Sequence, residues 1–247
     1  MSEPEPHKPG RRLDRRFRWR GTEVSRVEAI ADAVFGLVLA MLLLNEHPPD
    51  SFAGLFVAMK SLIPFAITFT FVAMVWFEHY LWFRRYDLHD GPLIALTFVL
   101  LFLVVGFAYP LKLLFTALAI QVVGPVGDLT LQKLGDFSDI GPLFLLYSGG
   151  YAAIYGTIAL LYWIALRRRV DLELDVRETI LTRSSIASSL VHVSVGLLSV
   201  LLTLVSLAIA PDCLIMRTGM PGWIYCLIGP GCAWVGSSFH RRLDAAK

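Results

Sequence analysis

The sequence predicts an all-α membrane protein with six transmembrane helices and both termini on the cytoplasmic side. Three observations carry that reading. Hydrophobic residues make up 56% of the 247 and charged residues only 17%, against roughly 45–50% and 25% in ordinary soluble domains. The mean hydropathy is +0.63. The charges are clustered between apolar runs of the length a bilayer requires, about 20 residues, and Lys and Arg gather in alternate connections.

The first 25 residues, opening MSEPEPHKPGRRLDRRFRWRG, are polar and rich in Pro and Arg. With no apolar stretch near Met1 they read as a cytoplasmic basic tail and not a cleaved signal. The transmembrane domain is expected over 26–240, with spans near 27–46, 52–77, 92–119, 141–166, 186–210 and 221–238, and a short cytoplasmic tail over 241–247. The sixth span is interrupted by Gly229-Pro230-Gly231, a break that membranes tolerate only where neighbouring protein satisfies the freed backbone groups.

Orientation follows from the basic residues. Eight lie within the first 26 residues, two at Arg84 and Arg85, five between Arg167 and Arg183, and three in the last seven, which places 18 of the 22 on the side of the N-terminus. The opposite connections lean acidic, with Glu46, Asp50, Asp128, Asp136, Asp139 and Asp212. A net charge of +2 in this setting says little about nucleic acid, since the basic residues matter through their placement and not their sum, and no nucleic-acid partner is expected. Cys213, Cys226 and Cys232 form no CxxC, and the six histidines form no HExxH. No metal, cofactor or disulfide framework is therefore expected. No Ser-His-Asp set, phosphate-cradling glycine loop or paired catalytic carboxylates are present, so an enzyme is not expected.

The first span, RVEAIADAVFGLVLAMLLLNEH over 26–47, carries one carboxylate inside an apolar run, Asp32. It lies six residues past Arg26, about 9 Å along the helix. Trp76, Glu78 and His79, at the inner end of the second span, come to a similar depth in an antiparallel neighbour. Two readings stand here. Asp32 joins Arg26, Trp76 and His79 in a polar network between the two helices, or it snorkels to the interface beside an aromatic-belt tryptophan. Ile30, Val34, Leu37, Met41 and Leu44 form a separate stripe at alternating steps of four and three. Leu37 sits about 140° around the helix from Asp32. A partner for Asp32 on helix 2 leaves that stripe facing lipid, another subunit or a pore.

The segment Arg26-Val27-Glu28-Ala29-Ile30-Ala31-Asp32-Ala33 resembles the R-x-x-x-F-S-D-A signature of the transmembrane protein 175 potassium-channel family. Trp76-Phe77-Glu78-His79-Tyr80 is similar to its W-x-x-H-H, and Tyr109-Pro110-Leu111 to the proline late in its third helix. The resemblance implies a homotetrameric cation channel, potassium-permeable, in the cell membrane of a bacterium. It implies a structural polar network of Arg26, Asp32, Trp76 and His79. It also implies a pore along the first helix, with Leu37 at the narrowest ring and Ala40 or Met41, then Leu44, in the layers beyond. The sequence departs from the signature at Ile30 and Ala31, which stand for Phe and Ser, and at Tyr80, which stands for the second His. Ala40 stands where the family often has Thr.

A proton-coupled secondary transporter is the alternative, with His192, Asp32 or Lys60 as coupling groups, and a divergent non-conducting membrane protein is a third. A transporter is expected to show matched broken helices in its two halves, and only span 6 carries a break. In the fifth span Ser189, Gly196 and Thr203, and His192, Ser199 and Ser206, recur at seven, a pattern expected to pack against a neighbouring helix. Lys60 and Lys112 are expected to snorkel outward as anchors, and Glu28 to sit at the inner interface.

Overall fold

The computed structural model describes residues 17–44, 51–124, 137–209 and 219–245. Among these the secondary structure is helical throughout, with no strand. Five long helices are α1 (Arg26–Leu44), α2 (Phe52–Tyr86), α3 (Gly91–Val123), α4 (Phe137–Arg167) and α5 (Val176–Ile209). A sixth runs as a helical turn, Met220–Trp223, a 3-10 segment, Ile224–Leu227, and α6 (Ile228–Ala245). The irregular stretch ends just before Gly229-Pro230-Gly231. Pro230 cannot donate to the carbonyl of Cys226, and its ring crowds that group, so the chain tightens there instead of breaking at the glycines.

Among the described residues, four helices contain segments long and apolar enough to cross a membrane: Met59–Tyr86, Gly91–Ile120, Gly141–Arg167 and Val176–Ile209. α1, with 19 residues, and α6, with 18, are the shortest. Nineteen residues span about 28 Å, close to the ~30 Å hydrocarbon core. α2 and α5 outrun their expected spans, α2 by nine residues at its end and α5 by ten at its start. Hydropathy marks where a helix leaves lipid, whereas hydrogen-bonded caps mark where it begins.

Two caps show this. At α1 the Ser25 amide donates to Glu28 Oε2 at 3.0 Å and the Glu28 amide to Ser25 Oγ at 3.2 Å. At α5 the Asp175 amide donates to Glu178 Oε2 at 3.3 Å and the Glu178 amide to Asp175 Oδ1 at 2.6 Å. Both are reciprocal capping boxes.

α1 packs against α2 and α3, α3 against α4, α4 most extensively against α5, and α5 against α6. The core joins Phe35, Val38 and Leu42 of α1 to Val72 and Val75 of α2, Leu100 and Val104 of α3, and Ile154, Ile158 and Tyr162 of α4. The α4–α5 contact is polar inside and apolar outside, the inverse of a soluble bundle. Ser189, His192, Gly196, Ser199, Thr203 and Ser206 of α5 are all buried. Ser199 bonds Ser148 across the interface at 2.8 Å and donates to the Pro221 carbonyl at 2.8 Å. A Cβ on Gly196 would stand 3.1 Å from that of Ala152, so the glycine sets how closely the helices approach. His192 shares a hydrogen bond with the Ser188 carbonyl at 2.8 Å and stacks on Tyr155 at 3.9 Å. It is a packing residue, held locally.

Candidate functional site: the exposed half of the first helix

Seven residues of α1 bracket its orientation. Glu28, Ala31, Phe35, Val38 and Leu42 are buried, and Ala33 and Leu37 are exposed. At about 100° per residue the buried set occupies an arc of roughly 80° against α2 and α3. Ala29, Ile30, Asp32, Ala33, Gly36, Leu37, Ala40 and Met41 occupy the opposite half and are exposed. Leu37 is 59% exposed, in the middle of that half. Leu44 closes the helix; its side chain lies outside the described residues, as does that of Asp139 in α4, and Glu46, Asp50, Asp128, Asp136 and Asp212 lie outside them altogether.

Asp32 sits at one edge of this exposed half. Trp76 Nε1 donates to Asp32 Oδ1 at 2.7 Å, which pins α1 to α2. Trp76 in turn stacks on Tyr80 at 5.8 Å. His79, one turn further along α2, is buried, 6.0 Å from the Phe35 ring and 4.8 Å from that of Phe83. Its Nε2 has no hydrogen-bond partner among the described residues. Arg26 is exposed and has no ion pair or hydrogen bond among the described residues. The structure thus brings Asp32, Trp76 and His79 to one corner and leaves Arg26 outside it.

The arginine that holds the N-terminal end of α1 is Arg84. Its Nη2 donates to Glu28 Oε1 at 2.5 Å, with the two side chains only 8% and 7% exposed. Arg84 Nη1 also donates to the carbonyls of Gly21 and Glu23, at 3.1 and 3.2 Å. Glu28 is therefore buried and paired, not interfacial. The segment before α1 straps across the same corner. The Arg20 and Gly21 amides donate to the Arg84 carbonyl at 3.0 and 3.2 Å. A Cβ on Gly21 would stand 2.8 Å from the Phe83 carbonyl oxygen, so only glycine allows this approach. Arg20 then grips Glu178 of α5, Nη2 to Oε2 at 2.7 Å, and its Nε donates to the Leu172 carbonyl at 3.0 Å. Phe17, fully buried, lies edge-on to Tyr86. At the far end of α1, Lys112 of α3 donates to the Leu42 carbonyl at 2.9 Å. It does not snorkel; it caps a helix C-terminus, where a cation is favourable.

Both capping-box glutamates thus take an arginine from another segment. The S-x-x-E of Ser25–Glu28 and the D-x-x-E of Asp175–Glu178 are legible as caps, and they were the signal for these anchors.

Helix 1 is fixed at both ends and on one side, and half its surface is exposed along its length. The long apolar helices define a polytopic helical membrane protein, and the exposed half of α1 is one of several apolar faces it turns outward. Three comparisons place it more closely. The family model described as the endosomal/lysosomal potassium channel TMEM175 matches residues 26–107, the stretch holding α1, α2 and the Asp32–Trp76 corner. A protein of Marivirga tractuosa described as a potassium channel is 34% identical over 222 residues, 88% of each chain. The crystal structure of a threonine-to-alanine variant of the potassium channel MtTMEM175, in complex with a nanobody–MBP fusion, is similar with a TM-score of 0.77. It is 33% identical and covers 95% of this chain and 99% of that one. The chain belongs to the TMEM175 family, whose relatives here are described as channels and not as enzymes.

Proposed function

We propose that this chain is the subunit of a homotetrameric cation channel, potassium-permeable, with the exposed half of α1 lining the pore. The observation that carries this is the position of Leu37, exposed on a helix held by Asp32–Trp76, Glu28–Arg84 and Lys112. One copy of α1 cannot enclose a path for an ion, so the function requires closed association. Exposure of Asp32 supports the same reading. An ionised carboxylate is costly against lipid but not beside water or another subunit.

Leu37 forms the narrowest ring in this reading, with Ala40 and Met41, then Leu44, in the layers beyond. Asp32, Trp76 and His79 serve the structural network implied by the resemblance, with the Glu28–Arg84 pair beside it in place of Arg26. An apolar ring offers no oxygen ligands. It closes by dewetting and opens by widening, and the ion that sheds water more cheaply, potassium over sodium, passes preferentially. The gathering of Lys and Arg in the connections on the side of the N-terminus supports a cytoplasmic position for both termini, in the cytoplasmic membrane of a bacterium. The chain divides into a basic segment over 1–25, the channel domain over 26–240 and a short tail over 241–247.

Gly36 provides the test. A Cβ there meets nothing within 4 Å in the subunit, so any penalty of a larger side chain must come from another copy. The parent protein in liposomes is expected to be tetrameric and to pass potassium without a coupled ion. Gly36→Leu is expected to keep the parent's helix content, since leucine favours helix over glycine by about 1 kcal/mol, yet to lose the tetramer and the flux. A tetrameric, conducting Gly36→Leu sinks the assignment of this face.

A further inference from the structure

At the other end of the bundle from Leu44, the connection between α4 and α5 and the first turns of α5 border an open cleft of about 410 Å³. Its polar lining is Arg169, Glu173, Thr179 and Arg183, and its apolar lining includes Val176 and Ile180. Arg169 and Arg183 are exposed, and neither has an ion-pair or hydrogen-bond partner for its side chain among the described residues. Their neighbours are committed elsewhere: Arg168 pairs with Asp90, and Arg167 lies 4.1 Å above the Trp163 ring. Two uncommitted guanidinium groups and a hydroxyl converging on one cleft suit a phosphate oxygen set, which arginine recognises with paired N–H donors. Glu173 leaves the lining with a net single positive charge, which suits a monoanion better than a multiply charged group.

The level of the cleft identifies the source of that phosphate. Trp163 is partly exposed, with a guanidinium on its face, as side chains of the interfacial belt are placed. The apolar span of α5 begins at Ile186, less than one turn beyond Arg183. On the face of Arg183, two turns apart at each step, stand Leu190, Leu197 and Leu204, exposed by 50%, 56% and 50%. From Arg183 to Leu197 is about 21 Å of helix, more than the ~15 Å depth of one hydrocarbon leaflet. A basic cleft therefore opens onto an apolar track of acyl-chain length.

We propose that this cleft binds the phosphodiester headgroup of a monoanionic phospholipid, with one acyl chain along Leu190 and Leu197. The site exists whichever way the chain is oriented; its assignment to the inner leaflet follows from the orientation proposed above. The hairpin it clamps supplies Glu178 and Leu172, the acceptors of Arg20, so an occupied cleft steadies the strap that holds the inner end of α1.

The test is thermal melting of the purified full-length protein in neutral detergent, titrated with phosphatidylglycerol or phosphatidylcholine, and separately with inorganic phosphate. Phosphatidylglycerol is expected to raise the melting temperature, and phosphatidylcholine and inorganic phosphate are not. The double substitution Arg169→Gln, Arg183→Gln is expected to need about 30-fold more phosphatidylglycerol for the same shift, roughly fivefold per arginine. Glu173→Gln is expected to need less than the parent. Leu197→Gln keeps every charge in the cleft and is expected to weaken the response several-fold; it decides the matter if the double variant does not fold. An unchanged response in the arginine variant, or in Leu197→Gln when the arginine variant does not fold, overturns the proposal. So does an equal shift from inorganic phosphate, which would make the cleft a site for free anions.

Discussion

Replacement of Leu37 by alanine is expected to raise potassium flux through the reconstituted protein and to flatten its preference over sodium. Leu37 is exposed on α1 beside Ala33, Gly36 and Ala40, so it supplies the largest side chain in the middle of that face. Shortening it in every subunit widens the ring and lowers the cost of keeping it wet. A barrier reduced by only about 1.4 kcal/mol gives about tenfold more flux. The wider ring lets ions cross with more of their hydration shell, and the difference between potassium and sodium shrinks accordingly. Leu37 makes no part of the buried core, so the variant should melt close to the parent. A variant that melts normally and conducts like the parent would show that the constriction lies elsewhere.

The largest effect on stability is expected at Arg84. Arg84→Met strands the buried Glu28 carboxylate and breaks the bonds to the Gly21 and Glu23 carbonyls. Removing one partner of a buried ion pair costs about 3–5 kcal/mol, which lowers the melting temperature of a chain this size by about 10 °C. The double variant Glu28→Gln, Arg84→Met leaves no buried charge, and glutamine can still close the cap on Ser25. It is expected to recover most of the loss, leaving a deficit of about 1–2 kcal/mol for the two strap carbonyls. Melting of the three proteins in one detergent checks this. Equal loss in the single and double variants would place the cost in the strap and not in the ion pair.

The six helices were legible because lipid demands long apolar runs, and a run of that length is hard to mistake. Their ends were less so: α5 starts at Val176 because Asp175 and Glu178 cap it, whereas its first ten residues are too polar to register as part of a span. The Asp32–Trp76 bond was within reach of depth alone, since a carboxylate and an indole on antiparallel neighbours come to the same level. The choice of arginine was not. Arg26 precedes Asp32 by six residues, which places it about 120° around the helix, in the middle of the exposed half and away from α2. Glu28 falls within the buried arc, and that alone calls for a buried cation. Arg84, counted by its charge as part of a connection, sits in the last turn of α2 with its side chain folded under the strap. Only the three-dimensional course of residues 17–25 brings it there.

The most direct test of the pore assignment is the access of an impermeant, charged thiol reagent to Leu37→Cys during potassium flux in liposomes. The parent, which carries Cys213, Cys226 and Cys232, sets the background. With α1 lining the ion path, the reagent should abolish most of the flux of Leu37→Cys and leave that of the parent intact, and potassium should slow the block. Full modification of the cysteine with undiminished flux would contradict the placement of Leu37 in the pore.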